Sequence, residues 1–250
     1  MLYGNSSIST YTRSNIMVWM LMAFQGGVLN IGGFFACHRF VSHVTGFATF
    51  FGVEVSESRF SQALGLLSVP FLFLCGSMVS GQLVDIPLRT EKKPKYYVVF
   101  GVMLFLILFV VIGGANGFFG RFGEPSGAFK DYFLLALLCL ICGLQNGSVT
   151  TVSKAVIRTT HLTGITTDLG IGLVRVFHKK LLLGKIDEDK RANKIRLGII
   201  FSFGLGSVVG GFIFRDFAYR GFLLPTLISG GLFSITFYFQ VIRRAGRETS

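Results

Sequence analysis

Six continuous apolar runs decide what this chain can become: Ile16–Ala36, Phe60–Val84, Tyr96–Ala115, Tyr132–Val152, Leu197–Phe214 and Gly221–Ile242. Each is close to or beyond the roughly 20 residues that carry a helix across a bilayer. Hydrocarbon offers backbone amides and carbonyls no partners, so such a run must satisfy them internally, as a helix. Strands of a membrane barrel would alternate apolar and polar residues, and these runs do not. With hydrophobic residues at 51%, charged residues at 14% and a mean hydropathy of +0.64, the composition does not suit a soluble surface. The 32 Gly and 28 Phe agree, because Gly lets embedded helices approach closely and Phe covers lipid-facing surface. The expected fold class is an all-α integral membrane protein with six transmembrane helices, Pro70 kinking the second.

A net charge of +12 would suggest nucleic acid in a soluble domain. Here the basic residues fall between apolar runs, where they set topology, so membrane lipids and no nucleic acid are the expected surroundings. With the N-terminus inside, 18 Lys and Arg lie on inner segments and 6 on outer ones. That split predicts a multi-pass protein of the cell (inner) membrane with both termini cytoplasmic. The first run is about twice a signal-peptide core and lacks a basic n-region, which makes it a retained span. Residues 1–15 read as a mobile polar leader and 243–250 as a basic tail.

The chain also reads as one unit written twice, over residues 16–118 and 132–242. Phe40-Val41-Ser42-His43-Val44-Thr45-Gly46 returns as Thr159-Thr160-His161-Leu162-Thr163-Gly164: hydroxyl residue, His, aliphatic, Thr, Gly. Gln25 and Gly27 match Gln145 and Gly147, and Gly76–Gly81 matches Gly206–Gly211. The offsets of 120, 118 and 130 place an insertion in the second unit, at a basic cytoplasmic loop, 179–194. Three spans reverse the chain's direction, so the second unit is predicted to be inverted: a 3+3 internal repeat. After each Thr-Gly comes a segment too short to span. Leu162, Ile165, Leu169, Leu173 and Val176 give it one apolar helical face, and Phe47–Val53 is the weaker counterpart, which predicts re-entrant or interfacial half-helices.

These residues resemble the YoaK family of small multi-pass bacterial membrane proteins, whose activity is unassigned. The resemblance rests on Gly26 to Phe34, Phe40 to Gly46, Gly143-Leu144-Gln145-Asn146 and Arg158 to Gly170, and it runs from the first span to the sixth. The chain departs from the family pattern at Asn30, where an acidic residue is usual, and at Phe47, where Asn is usual. The resemblance implies architecture and leaves the chemistry to be read from the residues.

Thr45 and Thr163 stand where N-caps belong, and Gly46 and Gly164 follow them. Half-helices entering from opposite faces would bring two positive dipole ends together, a setting for an anion or carboxylate; ordinary turning and packing is the plain alternative. His43 and His161, two residues before each Thr, would bond a solute, take part in proton coupling, or hold carbonyls at a helix break. Gln25, Asn30, Gln145 and Asn146 would either line a cavity or bond across helices. Asp168 is the candidate for ion coupling, with Arg158, Arg175 or water as partner. Cys139 and Cys142 share the spacing of redox pairs, but inside an apolar span they read as small hydrophobes. Cys37, His38 and His43 lack a fourth metal ligand, and neither metal nor cofactor is expected.

The expected function is a small membrane transporter moving a small solute, with an anion favoured, through a site between the two Thr-Gly half-helices. The alternative is a non-transporting scaffold or a lipid- or partner-interaction protein, which would have a dry centre. No nucleophile–base pair stands out, so an enzyme is not expected. Six spans make a small core for alternating access, which raises the expectation of a homodimer.

Overall fold

A computed structural model describes residues 12–124, 128–152, 160–178 and 186–243, and among them no strand occurs. In chain order the α-helices are α1 (Arg13–Cys37), α2 (Val44–Ser56), α3 (Phe60–Ser80), α4 (Ile86–Arg89), α5 (Tyr96–Ala115), α6 (Ala128–Val152), α7 (Leu162–Phe177), α8 (Ile186–Phe217) and α9 (Leu223–Phe237). A π-helical stretch, Gly81–Asp85, joins α3 to α4, and another, Tyr238–Ile242, extends α9. Helix α3 contains Pro70 without interruption. Residues 1–11, part of the expected leader, and 179–185, part of the expected basic loop, lie outside the described residues. Residues 186–194 are the first turns of α8, where Asp187, Glu188 and Asp189 meet the positive end of the helix dipole.

Among the described residues, five stretches are long and apolar enough to cross a membrane: Arg13–Cys37, Phe60–Arg89, Tyr96–Ala115, Phe129–Thr150 and Ile186–Ile242. The last, 57 residues long, holds both of the final two apolar runs. It is not one rod. Ala218 takes a left-handed φ of 49°, a conformation an L-residue adopts only at a break, and α8 ends there. A short 3₁₀ turn, Ala218–Phe222, then starts the chain back. These helices fit a membrane protein.

Contacts between helices fix their relative directions. Along α1 and α8, Met20 faces Gly198, Val28 faces Gly210 and Phe214 faces Gly32, so the two run parallel. Helices α3 and α6 are parallel too, with Gly65 on Tyr132 and Ser80 on Gly147. By contrast α5 and α9 are antiparallel: Tyr97 meets Phe237 and Leu104 meets Gly230. Gln145, late in α6, donates to the carbonyl of Met22, early in α1, which makes those two antiparallel. Each short helix lies antiparallel to the long one after it. In α7 and α8, Gly172 sits on Asn193 and Arg175 pairs with Asp189. In α2 and α3, Glu54 near the end of the short helix pairs with Arg59 at the start of the long one.

Lipid supplies little hydrophobic drive between helices, so association rests on close packing and hydrogen bonds. Glycine makes the closest approaches. A Cβ on Gly206 would lie 2.1 Å from the Phe24 carbonyl oxygen, and one on Gly143 would lie 2.1 Å from that of Phe73. Buried hydroxyls add hydrogen bonds at one of these seams, with Ser80 donating to the carbonyl of Leu144 at 2.6 Å. Outward, Leu64, Leu67, Phe71, Leu74 and Met78 line α3, and Leu197, Phe201, Leu205, Val208 and Phe212 line α8. Spaced three or four residues apart, they form two exposed apolar stripes suited to lipid.

Candidate functional site

The two His-x-Thr-Gly segments do start helices, but the cap differs from the expectation. Helix α2 begins at Val44 with His43 as N-cap, and α7 begins at Leu162 with His161 as N-cap. Thr45 and Thr163 are thus the second helical residues, and no side chain caps either end. The reason lies three residues beyond each histidine. The His161 ring folds forward over the first turn, where a Cβ on Gly164 would sit 2.4 Å from its Nδ1. At Gly46 the corresponding distance to His43 Nδ1 is 3.4 Å. Glycine stands third in each helix; at Gly164 it is needed to admit the imidazole, whereas at Gly46 a Cβ would only touch it.

An amide on the preceding helix holds the hydroxyl residue before each histidine. Asn30 Oδ1 accepts from both the backbone N–H of Ser42, at 3.3 Å, and its Oγ, at 3.0 Å. Asn146 Nδ2 donates to Thr160 Oγ1. Asn30 lies about 10 Å of helix before the end of α1, and Asn146 about 9 Å before the end of α6, taking 1.5 Å per residue. The connection after α1 therefore dips back inside before α2 starts, and the start of α7 is held inside in the same way. Both short helices begin short of the long helices' ends, at residues exposed to the space between them: His43, Thr45, His161 and Thr163 are all exposed. Because α3 is parallel to α6, and α8 to α1, α2 and α7 run away toward opposite ends.

Between their starts lies a cavity of about 580 Å³. His43, Val44, Thr45, His161, Leu162 and Thr163 line it, together with Ser42, Thr160, Asn30, Asn146 and Thr150. Phe40, Phe73 and Phe203 supply aromatic wall, and Ser77 and Gly147 complete the lining. No carboxylate, lysine or arginine occurs among the described lining residues. Polar character there comes from two imidazoles, hydroxyls, amides and two helix N-termini, whose first amides have no intrahelical acceptor.

The other expected residues lie elsewhere. Gln25 and Gln145 are fully buried but do not line the cavity: Gln25 Nε2 donates to Ser229 Oγ at 2.8 Å, and Gln145 Nε2 to the Met22 carbonyl at 2.7 Å. They bond across helices. Asp168 is exposed on α7, away from the lining. Its backbone carbonyl accepts from Arg196 Nη1 at 3.2 Å, while Arg175 pairs with Asp189 instead. Arg158 lies outside the described residues. Among the described residues, no group of three or more His, Cys, Asp and Glu is placed to hold a metal.

Phe73 and Phe203 escaped the sequence reading, although they stand at the same 130-residue offset that relates Gly76 to Gly206. Glu54 escaped it too. It is 6% exposed near the end of α2, with Arg59 Nε at 2.5 Å and Arg39 Nη2 at 3.7 Å. The Arg39 guanidinium also covers the Phe50 ring at 4.3 Å. This cluster fastens the connection leading to His43 onto the α2–α3 corner.

No curated protein and no solved structure matches the chain. Residues 18–235, from the first long helix into the last, match a family described as "protein of unknown function (DUF1275)". With so much of the chain matched, and in keeping with the motif resemblance, this protein belongs to that DUF1275 family.

Proposed function

We propose that this is a small integral membrane transporter that moves a small anionic solute through the cavity between α2 and α7. One observation carries the reading: two uncapped helix N-termini, each led by a histidine, open on one interior cavity from helices that run to opposite ends. Each N-terminus presents about half a positive charge. Two of them facing one cavity, with no carboxylate among the described lining, suit a carboxylate or similar anion.

An inverted 3+3 repeat is the architecture that supports this function. The neighbours exchange as such a symmetry requires: α1 on α8 answers α6 on α3, α7 on α8 answers α2 on α3, and α5 on α9 maps onto itself. Alternating access then amounts to rocking one unit against the other around a fixed site. Both termini are cytoplasmic in this reading, from the Lys and Arg distribution. The scaffold alternative calls for a dry centre, and the polar lining weighs against it. Carriage by this route makes no bonds, so the protein acts as a carrier and not as an enzyme.

Counterflow in proteoliposomes tests the proposal. Vesicles preloaded with formate, lactate, benzoate, nitrate or succinate should exchange label faster than protein-free vesicles for at least one anion. Gly164→Ala, which drives a methyl into the His161 ring, should slow that exchange at least tenfold. Absence of exchange for every anion would end the proposal.

A further inference from the structure

We infer that transport is coupled to protons, with His43 and His161 carrying a proton alongside a monovalent anion. The inference rests on the transport reading above and adds its driving force. Among the described residues that line the cavity, these two imidazoles are the only side chains whose chemistry lets them take up and release a proton. They hold equivalent places, at the N-caps of the two half-helices. Among the described residues, neither ring has a hydrogen bond that would commit it to a structural task. His43 has an edge contact with Phe40, and His161 lies over Gly164.

Among the described residues, the charged groups beside these helices are otherwise engaged or displaced from the lining. Beside α2, Arg39 and Arg59 are held by Glu54. On α7 and α8, Arg175 pairs with Asp189, Arg196 donates to the Asp168 carbonyl, and Asp168 faces outward. The elements that complete the wall contribute Asn30 from α1, Phe73 and Ser77 from α3, Asn146, Gly147 and Thr150 from α6, and Phe203 from α8. None of those seven residues titrates.

Electrostatics then ties the proton to the solute. A proton on either ring adds positive charge where two helix N-termini already present theirs. An anion in the cavity relieves that repulsion, so the anion favours the proton. By linkage the proton favours the anion to the same degree. One proton and one monovalent anion cross together as a neutral pair and separate on the more alkaline side. No covalent step and no other co-reactant enters.

Vesicles containing the pH dye pyranine, set at pH 8 inside and pH 6 outside, test the coupling with labelled nitrate, lactate and benzoate. Uptake above that of protein-free vesicles should acidify the lumen by one proton per anion. At that gradient the anion should accumulate toward a limit of about 100-fold, the proton ratio itself at tenfold per pH unit. His43→Gln and His161→Gln should lose proton-driven accumulation and lumenal acidification while melting within about 2 °C of the wild type, which shows that they fold. If the wild-type protein takes up anions with no lumenal acidification, coupling is overturned while transport stands, and the same holds if both variants still accumulate. If no anion exchanges at all, the transport reading and this inference fall together.

Discussion

The seam between α1 and α8 should discriminate sharply between glycines on the same helix. Gly206 faces α1 so closely that a Cβ would lie 2.1 Å from the Phe24 carbonyl oxygen and 2.8 Å from its carbon. Real Cβ contacts stay beyond 3.0 Å, so Gly206→Ala must part the backbones by about 0.9 Å. The obstacle is main chain on a packed helix and cannot rotate aside. Forcing a methyl into such a place costs about 1–3 kcal/mol. Gly204 and Gly211 lie on the same helix with nothing within 4 Å of the corresponding position. Alanine there is expected to be neutral or to gain up to about 1 kcal/mol from helix propensity. Thermal unfolding in detergent, followed with a thiol-reactive dye, suits the comparison because Cys139 and Cys142 are buried and free. At roughly 2–4 °C per kcal/mol for a chain of this size, Gly206→Ala should melt at least 2 °C below wild type, and Gly204→Ala and Gly211→Ala at or above it. Equal midpoints for all three would refute the parallel, backbone-close packing of α1 on α8.

Three further outcomes follow from the site and its supports. Asn30→Ala removes both hydrogen bonds that hold Ser42, at about 0.5–1.5 kcal/mol each, and should lower the melting midpoint more than Ser42→Ala does. Arg59→Met leaves the buried Glu54 carboxylate with only the longer Arg39 contact and should lower the melting midpoint, though by less than breaking a fully buried pair, because Arg59 is itself 46% exposed. Adding Glu54→Gln to that variant should recover part of the loss, and a double-mutant cycle reads the coupling. Maleimide should leave Cys139 and Cys142 unmodified in the folded protein and label them only after denaturation, as expected of packing thiols.

Much of the fold was legible because bilayer chemistry is strict. Any run that enters hydrocarbon must be helical, and the starts Phe60 and Tyr96 and the ends Ala115 and Val152 coincide with the helix bounds observed. Other bounds moved where tertiary contacts extend a helix beyond its apolar part. Helix α8 starts 11 residues before the apolar run at Leu197, because α7 packs along its polar first turns through Arg175, Asp189, Gly172 and Asn193. The break between the last two spans carries no Gly or Pro at its centre, only Ala218 in a left-handed conformation. Its place was nonetheless legible, because Arg215, Asp216 and Arg220 interrupt the apolar pattern between Phe214 and Gly221.

At the candidate site, sequence singled out the two segments that line the cavity and misassigned the cap residue within them. Thr-Gly at a helix start invites a hydroxyl cap, since propensity favours Thr for that task over His. Yet Gly164 has to remain bare for the ring three residues back, and that ring occupies the space over the first turn. The amides show the same limit. Asn30, Asn146, Gln25 and Gln145 all appear as polar residues in apolar runs, and only helix packing sorts them: the asparagines reach the breaks, while the glutamines reach Ser229 and the Met22 carbonyl. Matching position between repeats was a sound guide to placement and a poor guide to contact with the cavity. Gln25 and Gln145 match and are excluded from the lining, whereas Phe73 and Phe203 match and form its wall. What separates the pairs is which side of its helix each residue occupies, and periodicity cannot assign that side in helices that are apolar nearly all round.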